Sequence, residues 1–313
     1  MAAIGPAPRV RNETIEPDRA GQRLDNFLLG ALKGAPRSLV YRLLRSGQVR
    51  VNGRRARPGQ RLEAGDVVRI PPVRLDPEPE ARAAGSARLQ LIESCIVHED
   101  ERLLALDKPS GLASHGGSGI DFGAIELLRQ SRPEESLELV HRLDRDTSGL
   151  LVVARKRSAL LALQTAMRGG RVAKRYLALL TGRLAGDRFT VDVPLSRARE
   201  VGGERMVRVE HEGKPSVSHF RLIERRGGHS YTEVGIDTGR THQIRVHAAH
   251  IGHPVAGDDK YGDREINRRL RESTGLRRMF LHAASLEFEL GQTSYLLSAP
   301  LPADLSEVLD ALG

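Results

Sequence analysis

The chain has a single cysteine, Cys95, in 313 residues, which excludes an internal disulfide. The segment around it, LIESCIVHED, reads as a strand, so the thiol is expected to be a small buried hydrophobe. No apolar run approaches the ~20 residues that a bilayer span needs, and the opening MAAIGPAPRVRNETIEP lacks the apolar centre of a secretion signal. The expectation is a soluble protein of the cytoplasm with no membrane partner. The glycines of HGGSG, residues 115–119, lack the glycine-lysine-serine end of a nucleotide P-loop and the spacing of a dinucleotide fingerprint. Four histidines crowd between His242 and His253, but no acid lies among them and the HExxH pattern of zinc proteases is absent. Neither a metal ion nor a small-molecule cofactor is therefore expected. No internal repeat is present.

Acids are missing from one stretch in particular. Between Asn26 and Leu62 stand nine basic residues (Lys33, Arg37, Arg42, Arg45, Arg50, Arg54, Arg55, Arg57 and Arg61) and not one Asp or Glu. From Met1 to Leu75 the count is 15 Lys and Arg against 6 Asp and Glu, while the rest of the chain carries 34 of each, so the whole net charge of +9 sits in the first quarter. A merely solvated surface would intersperse acids. A basic module ahead of a charge-balanced body points to a polyanion, and nucleic acid is the commonest such partner.

What is there divides readily. Residues 1–20 read as a loose tail. RLDNFLLGALKG places Leu24, Phe27, Leu28, Ala31 and Leu32 on one helical face, and RSLVYRLLRSG does the same with Leu39, Val40, Leu43 and Leu44. The period then changes to two in QVRVNGRRA, with an Asn52-Gly53 turn, and VVRI closes the unit as a last strand. Residues 21–72 thus form a small αβ module, and 73–91, rich in Pro, Ala, Glu and Arg without a period, read as a linker. At 39% hydrophobic content the remaining 92–313 can fill a core of their own. Strand-like runs outnumber helices there and follow one another as hairpins, so the fold is expected to be α+β with a largely antiparallel sheet. GRTHQIRVHAAHIG reads as a helix, with Gly239 and Thr241 at its start.

Three polar clusters interrupt the apolar elements of this body: His141 to Ser148, Lys174-Arg175-Tyr176, and Arg240 to His247. The first, HRLDRDTSG, combines a cationic pair, two carboxylates, hydroxyls and a glycine, and runs into the apolar LLVVA. That is a polar loop mounted on a buried strand. A lone loop Asp is usually a turn or cap residue. Several guanidiniums in apolar-flanked segments, however, need anionic partners or an anionic ligand if they are even partly buried.

Taken together and in order, these segments resemble the RluA-type pseudouridine synthases, over about Cys95 to Leu297. HRLDRDTSG resembles the signature that carries the family's nucleophilic aspartate, which falls on Asp144. KRYLAL matches the segment whose tyrosine meets the target base, here Tyr176. GRTHQIRVH matches the one whose second arginine pairs with the aspartate, here Arg245, and MFLHA matches a pocket-lining segment around Leu281. Arg142 resembles the arginine that fills the space left by a flipped base, and Asp146 is expected to be structural, capping or pairing with Arg145. SHGGSG…FGAIELLR, with the basic module in front, is most like the RluC branch, which modifies large-subunit ribosomal RNA. The module itself, RLDNFL…SxxxRLLRSGQVRVNG…GD…VVRI, resembles the S-four RNA-binding domain, with Arg37, Arg42, Arg45, Arg50, Arg54 and Arg55 as the expected RNA contacts.

The resemblance implies an isomerisation: uracil leaves its ribose at nitrogen-1, turns, and rejoins through carbon-5, with no atom gained or lost and no cofactor called for. It implies action on ribosomal RNA or an assembling large subunit, with a flipped base; the chain is expected to act as a monomer. A buried nucleophilic carboxylate needs a fixed cation to offset its desolvation, and Arg245 is expected to hold Asp144 bidentately. A non-catalytic RNA-binding assembly factor, or a synthase acting on another structured RNA such as tRNA, are the competing readings.

Overall fold

The computed structural model describes residues 9–32, 35–73, 84–117, 121–196, 199–201 and 204–313, in two compact units, Met1–Ala83 and Ala84–Gly313. Lys33, the middle of the expected linker (74–83) and residues 118–120 of the glycine-rich loop lie outside the described residues, as does the side chain of Arg37.

In the N-terminal unit, β1 (Arg11–Thr14), α1 (Leu24–Ala31), α2 (Arg37–Arg45), β2 (Arg50–Val51), β3 (Arg54–Arg55) and β4 (Val67–Ile70) form two helices on a sheet of order β1-β4-β2-β3. The apolar faces expected from the sequence are the buried ones: Leu24, Phe27 and Leu28 from α1, and Val40, Leu43 and Leu44 from α2, pack with Val49, Val51, Val68 and Ile70. Asn52 and Gly53 both have positive φ, 50° and 75°, the backbone that a two-residue hairpin turn requires. The tail is not loose throughout. Arg11 to Thr14 pair antiparallel with β4 and deliver Ile15 to the core at 1% exposure. RNET has no apolar alternation, so only backbone pairing to an available sheet edge could make it a strand.

The C-terminal unit contains α3 (Ser86–Ser94), β5 (Ile96–Glu99), β6 (Leu103–Lys108), α4 (Ala124–Ser131), β7 (Glu138–Leu139), β8 (Ser148–Ala154), α5 (Arg157–Arg168), β9 (Val172–Leu180), β10 (Arg188–Asp192), β11 (Arg199–Val201), β12 (Glu204–Met206), β13 (Val217–Arg226), β14 (His229–Ile236), α6 (Gln243–His250), α7 (Arg264–Thr274), β15 (Leu281–Leu290), β16 (Thr293–Ser298) and α8 (Ala303–Leu312). Its ten-stranded sheet runs β10-β13-β14-β9-β15-β8-β6-β5, with β16 beside β15 and β7 beside β8. Every pairing is antiparallel except β15 with β8. The fold is α+β, as the run of hairpins implied.

All seven residues of β8 are buried. One apolar cluster joins it to α5, β15 and β16, and another joins it to α3 and α4, as expected for a central strand covered on both faces. The expected linker ends early: residues 86–94 form α3, whose Ile92 is 1% exposed and whose Glu93 accepts from Arg132. ARLQLIES has too little apolar periodicity to announce this helix, which packs only because α4 supplies a surface. Cys95 is accordingly the C-cap of α3 rather than a strand residue, and it is half-buried.

Candidate active site

The loop from His141 to Thr147 is held by the segment that follows β6. Ser114, 4% exposed, accepts from the Leu143 N–H (2.9 Å) and donates to the Leu143 carbonyl (2.8 Å). The Arg145 carbonyl accepts from Lys108 Nζ (3.1 Å) and the Gly111 N–H (2.9 Å), and the Asp146 carbonyl accepts from Ser110 (2.8 Å). Asp144 therefore stands on a backbone tied down on either side of it. Lys108 is completely buried; burial pushes its pKa down to about 7, yet the carbonyls of Pro109, Leu112 and Arg145 receive its N–H groups. After the loop, Gly149 has φ +104°, and a Cβ there would lie 2.3 Å from the Ala283 carbonyl oxygen. Only glycine lets the loop enter β8 at the point where β8 meets β15.

Asp144 Oδ2 accepts from Arg245 Nη1 at 3.3 Å and lies 3.8 Å from His242 Nε2. Arg245, in α6, is 6% exposed, and its fork is engaged elsewhere: Nε and Nη2 donate to the two oxygens of Asp258 at 2.7 and 2.8 Å. The expected bidentate pair exists, but with Asp258, and Asp144 receives the one remaining nitrogen. Asp258 is 1% exposed and also accepts from the Lys260 and Tyr261 N–H groups. Burial opposes its ionisation, and the Arg245 fork together with the Lys260 and Tyr261 N–H groups outweighs this, holding the carboxyl below its ordinary range. The Tyr261 ring lies 5.0 Å from the guanidinium, close enough for a cation–π contact.

A pocket of about 80 Å³ opens beside Asp144, lined by Tyr176, Ile236, Leu281, His242 and Arg245 among others. Tyr176 comes from β9 and Leu281 from the start of β15, strands paired so that Tyr176 faces Ala283. Burial, with the Asp144 charge second, drives the Tyr176 phenol well above its ordinary pKa, so its ring is a neutral apolar wall. A wider groove of about 700 Å³ shares Asp144, Arg142, His242 and Arg245 and adds Arg145, Lys260, Arg277 and Arg278. Asp144 lies on the rim that both cavities share.

The chain is 50% identical over 300 residues to ribosomal large subunit pseudouridine synthase C of Escherichia coli K12, covering 95% of this chain and 94% of that protein. The same enzyme of Pasteurella multocida is 48% identical over 307 residues, 97% of this chain and 94% of the relative. The RNA pseudouridylate synthase family matches residues 102–250. The chain belongs to that family. Among solved structures, human RNA pseudouridylate synthase domain containing 1 is similar with a TM-score of 0.56 at 29% identity, over 66% of this chain and 82% of that one. The domain containing 4 protein shares the fold, with a TM-score of 0.62 at 24% identity, over 73% and 98%. Residues 22–68 match the S4 domain, inside the basic N-terminal unit.

Within this family member, the predicted site residues fall into two groups. Asp144, Arg142, Tyr176, Arg245 and Leu281 all line the small pocket. Arg142 is exposed, and its Nη1 donates to His115 Nε2 at 2.9 Å. His141 is neutral: burial lowers its pKa to about 4, and its Nε2 accepts from the Val152 N–H. Asp146 pairs with Arg145 at 3.2 Å on the surface. In the separate S4 unit, Arg42, Arg45, Arg50, Arg54 and Arg55 are exposed. Arg55 donates to the Arg45 carbonyl and Arg50 to the Gly53 carbonyl; none of the five has a carboxylate partner among the described residues.

Two of the crowded histidines bond to separate partners. His247 meets Ser218 and the Val193 carbonyl, and His253 the Thr181 carbonyl. No group of three or more His, Cys, Asp or Glu able to hold a metal ion occurs among the described residues, and no helix among them is long and apolar enough to cross a membrane. Sequence reasoning passed over Lys108, Ser114, Asp258 and Tyr261. A lysine ending the apolar run LLALDK was a legible signal for the first. GDDKYGD, a polar run after the α6 segment, was one for Asp258 and Tyr261.

Proposed function

We propose that this chain isomerises specific uridines of large-subunit ribosomal RNA to pseudouridine, with Asp144 as nucleophile. The observation that carries this reading is the convergence of Asp144 and Arg245, 101 residues apart, at a small pocket walled by Tyr176 and Leu281. A planar pyrimidine flipped out of its stack would lie against the Tyr176 ring, a contact worth about 1–3 kcal/mol in other base–aromatic pairs. Arg245, held rigid by Asp258, offers one N–H to Asp144 and keeps that carboxylate oriented without closing both of its oxygens into an ion pair. Arg142, exposed at the rim, occupies the place vacated by the flipped base.

The S4 unit supplies exposed arginines, Arg42, Arg45, Arg50, Arg54 and Arg55, for the phosphate backbone, and Arg37 belongs with them by its position in α2. Its contribution is electrostatic and salt-dependent. A ribosomal substrate supports residence in the cytoplasm. The chemistry requires neither metal nor cofactor, because nothing is oxidised and no atom is lost. Mapping pseudouridines in ribosomal RNA from a strain lacking this gene tests the proposal: discrete large-subunit uridines should revert, and return on complementation with the wild type but not with Asp144→Asn. An unchanged map would overturn it, and losses confined to tRNA would replace its substrate.

A further inference from the structure

The isomerisation has a second proton problem that Asp144 and Arg245 leave open. Once the turned uracil is joined to ribose through carbon-5, that carbon carries both the sugar and its original hydrogen. The C5–H bond must break, its electron pair forming the C5–C6 double bond while the C6–N1 pair withdraws onto N1, which takes up a proton. Some group must accept the C5 proton. Resting on the synthase reading above, we infer that His242 is the base that removes the C5 proton, through its Nε2.

Four observations support this assignment. His242 lines both the small pocket and the wide groove, and its Nε2 lies 3.8 Å from Asp144 Oδ2, the atom around which the reaction is centred. The other ring nitrogen, Nδ1, is 2.8 Å from Tyr261 Oη, which already accepts from the Val207 N–H at 3.0 Å. An Nδ1–H donated to the second lone pair of that oxygen leaves the Nε2 lone pair bare toward the pocket. The residue sits at the N-cap of α6 with φ 54° and ψ 21°, a left-handed backbone that costs a non-glycine residue energy and that gathers at functional sites.

The alternatives are poorer bases. The Tyr176 phenol is pushed far above its ordinary pKa, and Arg245 stays charged at any working pH. Around the imidazole stand Asp144 from the loop before β8, Arg245 from its own helix, and Asp258, Lys260 and Tyr261 from the loop after it. Burial, seconded by Arg245 and Lys260 and opposed by the two carboxylates, holds His242 below its ordinary value, so the neutral, accepting form prevails at pH 7. When Nε2 takes the proton, the adjacent Asp144 carboxylate stabilises the imidazolium, which then returns a proton toward N1 and ends the cycle neutral.

Two variants respect the left-handed backbone. His242→Asn tolerates positive φ but has no basic nitrogen, and His242→Gly tolerates it and leaves space for free imidazole. Full-length protein is assayed at saturating large-subunit ribosomal RNA, in single turnover, with natural and 5-deuterated uridine. Both variants should bind RNA as the wild type does and turn over about 10²–10⁴-fold more slowly, the range for loss of a general base. The deuterium effect should grow in both, because C5–H cleavage becomes limiting, and imidazole should restore His242→Gly. Rates within threefold of the wild type, or slow rates with an unchanged deuterium effect, would overturn the assignment. Wild-type conversion of the same RNA, lost in Asp144→Asn, separates a failure of His242 from a failure of the synthase reading.

Discussion

Two sets of arginines, one in each unit, are used in opposite ways. In the S4 unit, Arg42, Arg45, Arg50, Arg54 and Arg55 are exposed and have no carboxylate to answer them among the described residues. In the catalytic unit, Arg245 is buried and shared between two carboxylates, and Arg278 pairs with Asp304 while donating to Ser148. An exposed, unpaired guanidinium acts at a distance and is screened by salt. A desolvated, forked one acts over a few ångströms and fixes an orientation. The difference fits the proposed division, attraction in one unit and chemistry in the other, although the same side chain serves both.

The sharpest way to break this comparison is to remove the group that the buried arginine serves. Asp144→Asn, nearly isosteric, should lower single-turnover pseudouridine formation by at least about 10³-fold, with RNA affinity measured by filter binding unchanged. Arg245→Lys keeps the charge and loses the fork; it should lower the same rate by roughly 10²-fold, whereas Arg→Lys changes in the S4 unit should leave binding close to wild type. Asp258→Asn leaves a buried guanidinium half-satisfied and should cost about 3–5 kcal/mol of stability in denaturant titration. The sign of its pH dependence follows from the lowered pKa of Asp258. Its contribution is full above the ordinary value near 3.8 and is lost as pH falls through the depressed folded value, so the wild type loses its advantage over the variant only in acid.

Smaller effects test the other side. Changing Arg42, Arg45, Arg50, Arg54 and Arg55 together to Gln should weaken RNA binding and flatten the plot of log affinity against log salt by about 0.7 for each phosphate that is no longer neutralised. An unchanged slope would make the S4 arginines bystanders. Asp146→Ala, which breaks only a surface pair with Arg145, should change stability and rate by less than about 0.5 kcal/mol.

Much of the fold was legible because it rests on period and punctuation. The faces of α1 and α2, the Asn52-Gly53 turn and the antiparallel body follow from apolar spacing and turn residues. What escaped lacked a local signal: β1 exists through pairing with β4, and α3 through packing against α4. The site was legible in its motif residues, since Asp144, Tyr176, Arg245 and Leu281 do line one pocket. The pairing of Arg245 was not. The motif gives the arginine wholly to Asp144, because it names two partners and cannot show a third group, the Asp258 carboxylate, folded in from 13 residues downstream.

The sequence by itself determined the family and the division into a basic module and a neutral body, and it singled out Asp144 as the candidate carboxylate, because these depend on composition, order and motif. Only the tertiary structure decided how charge is shared around Asp144. Hydrogen bonds are made one nitrogen at a time, and which oxygen meets which nitrogen depends on distances that no spacing along the chain encodes. The same holds for His242, whose left-handed backbone and contact with Tyr261 turn a histidine in a helical motif into a base aimed at the pocket.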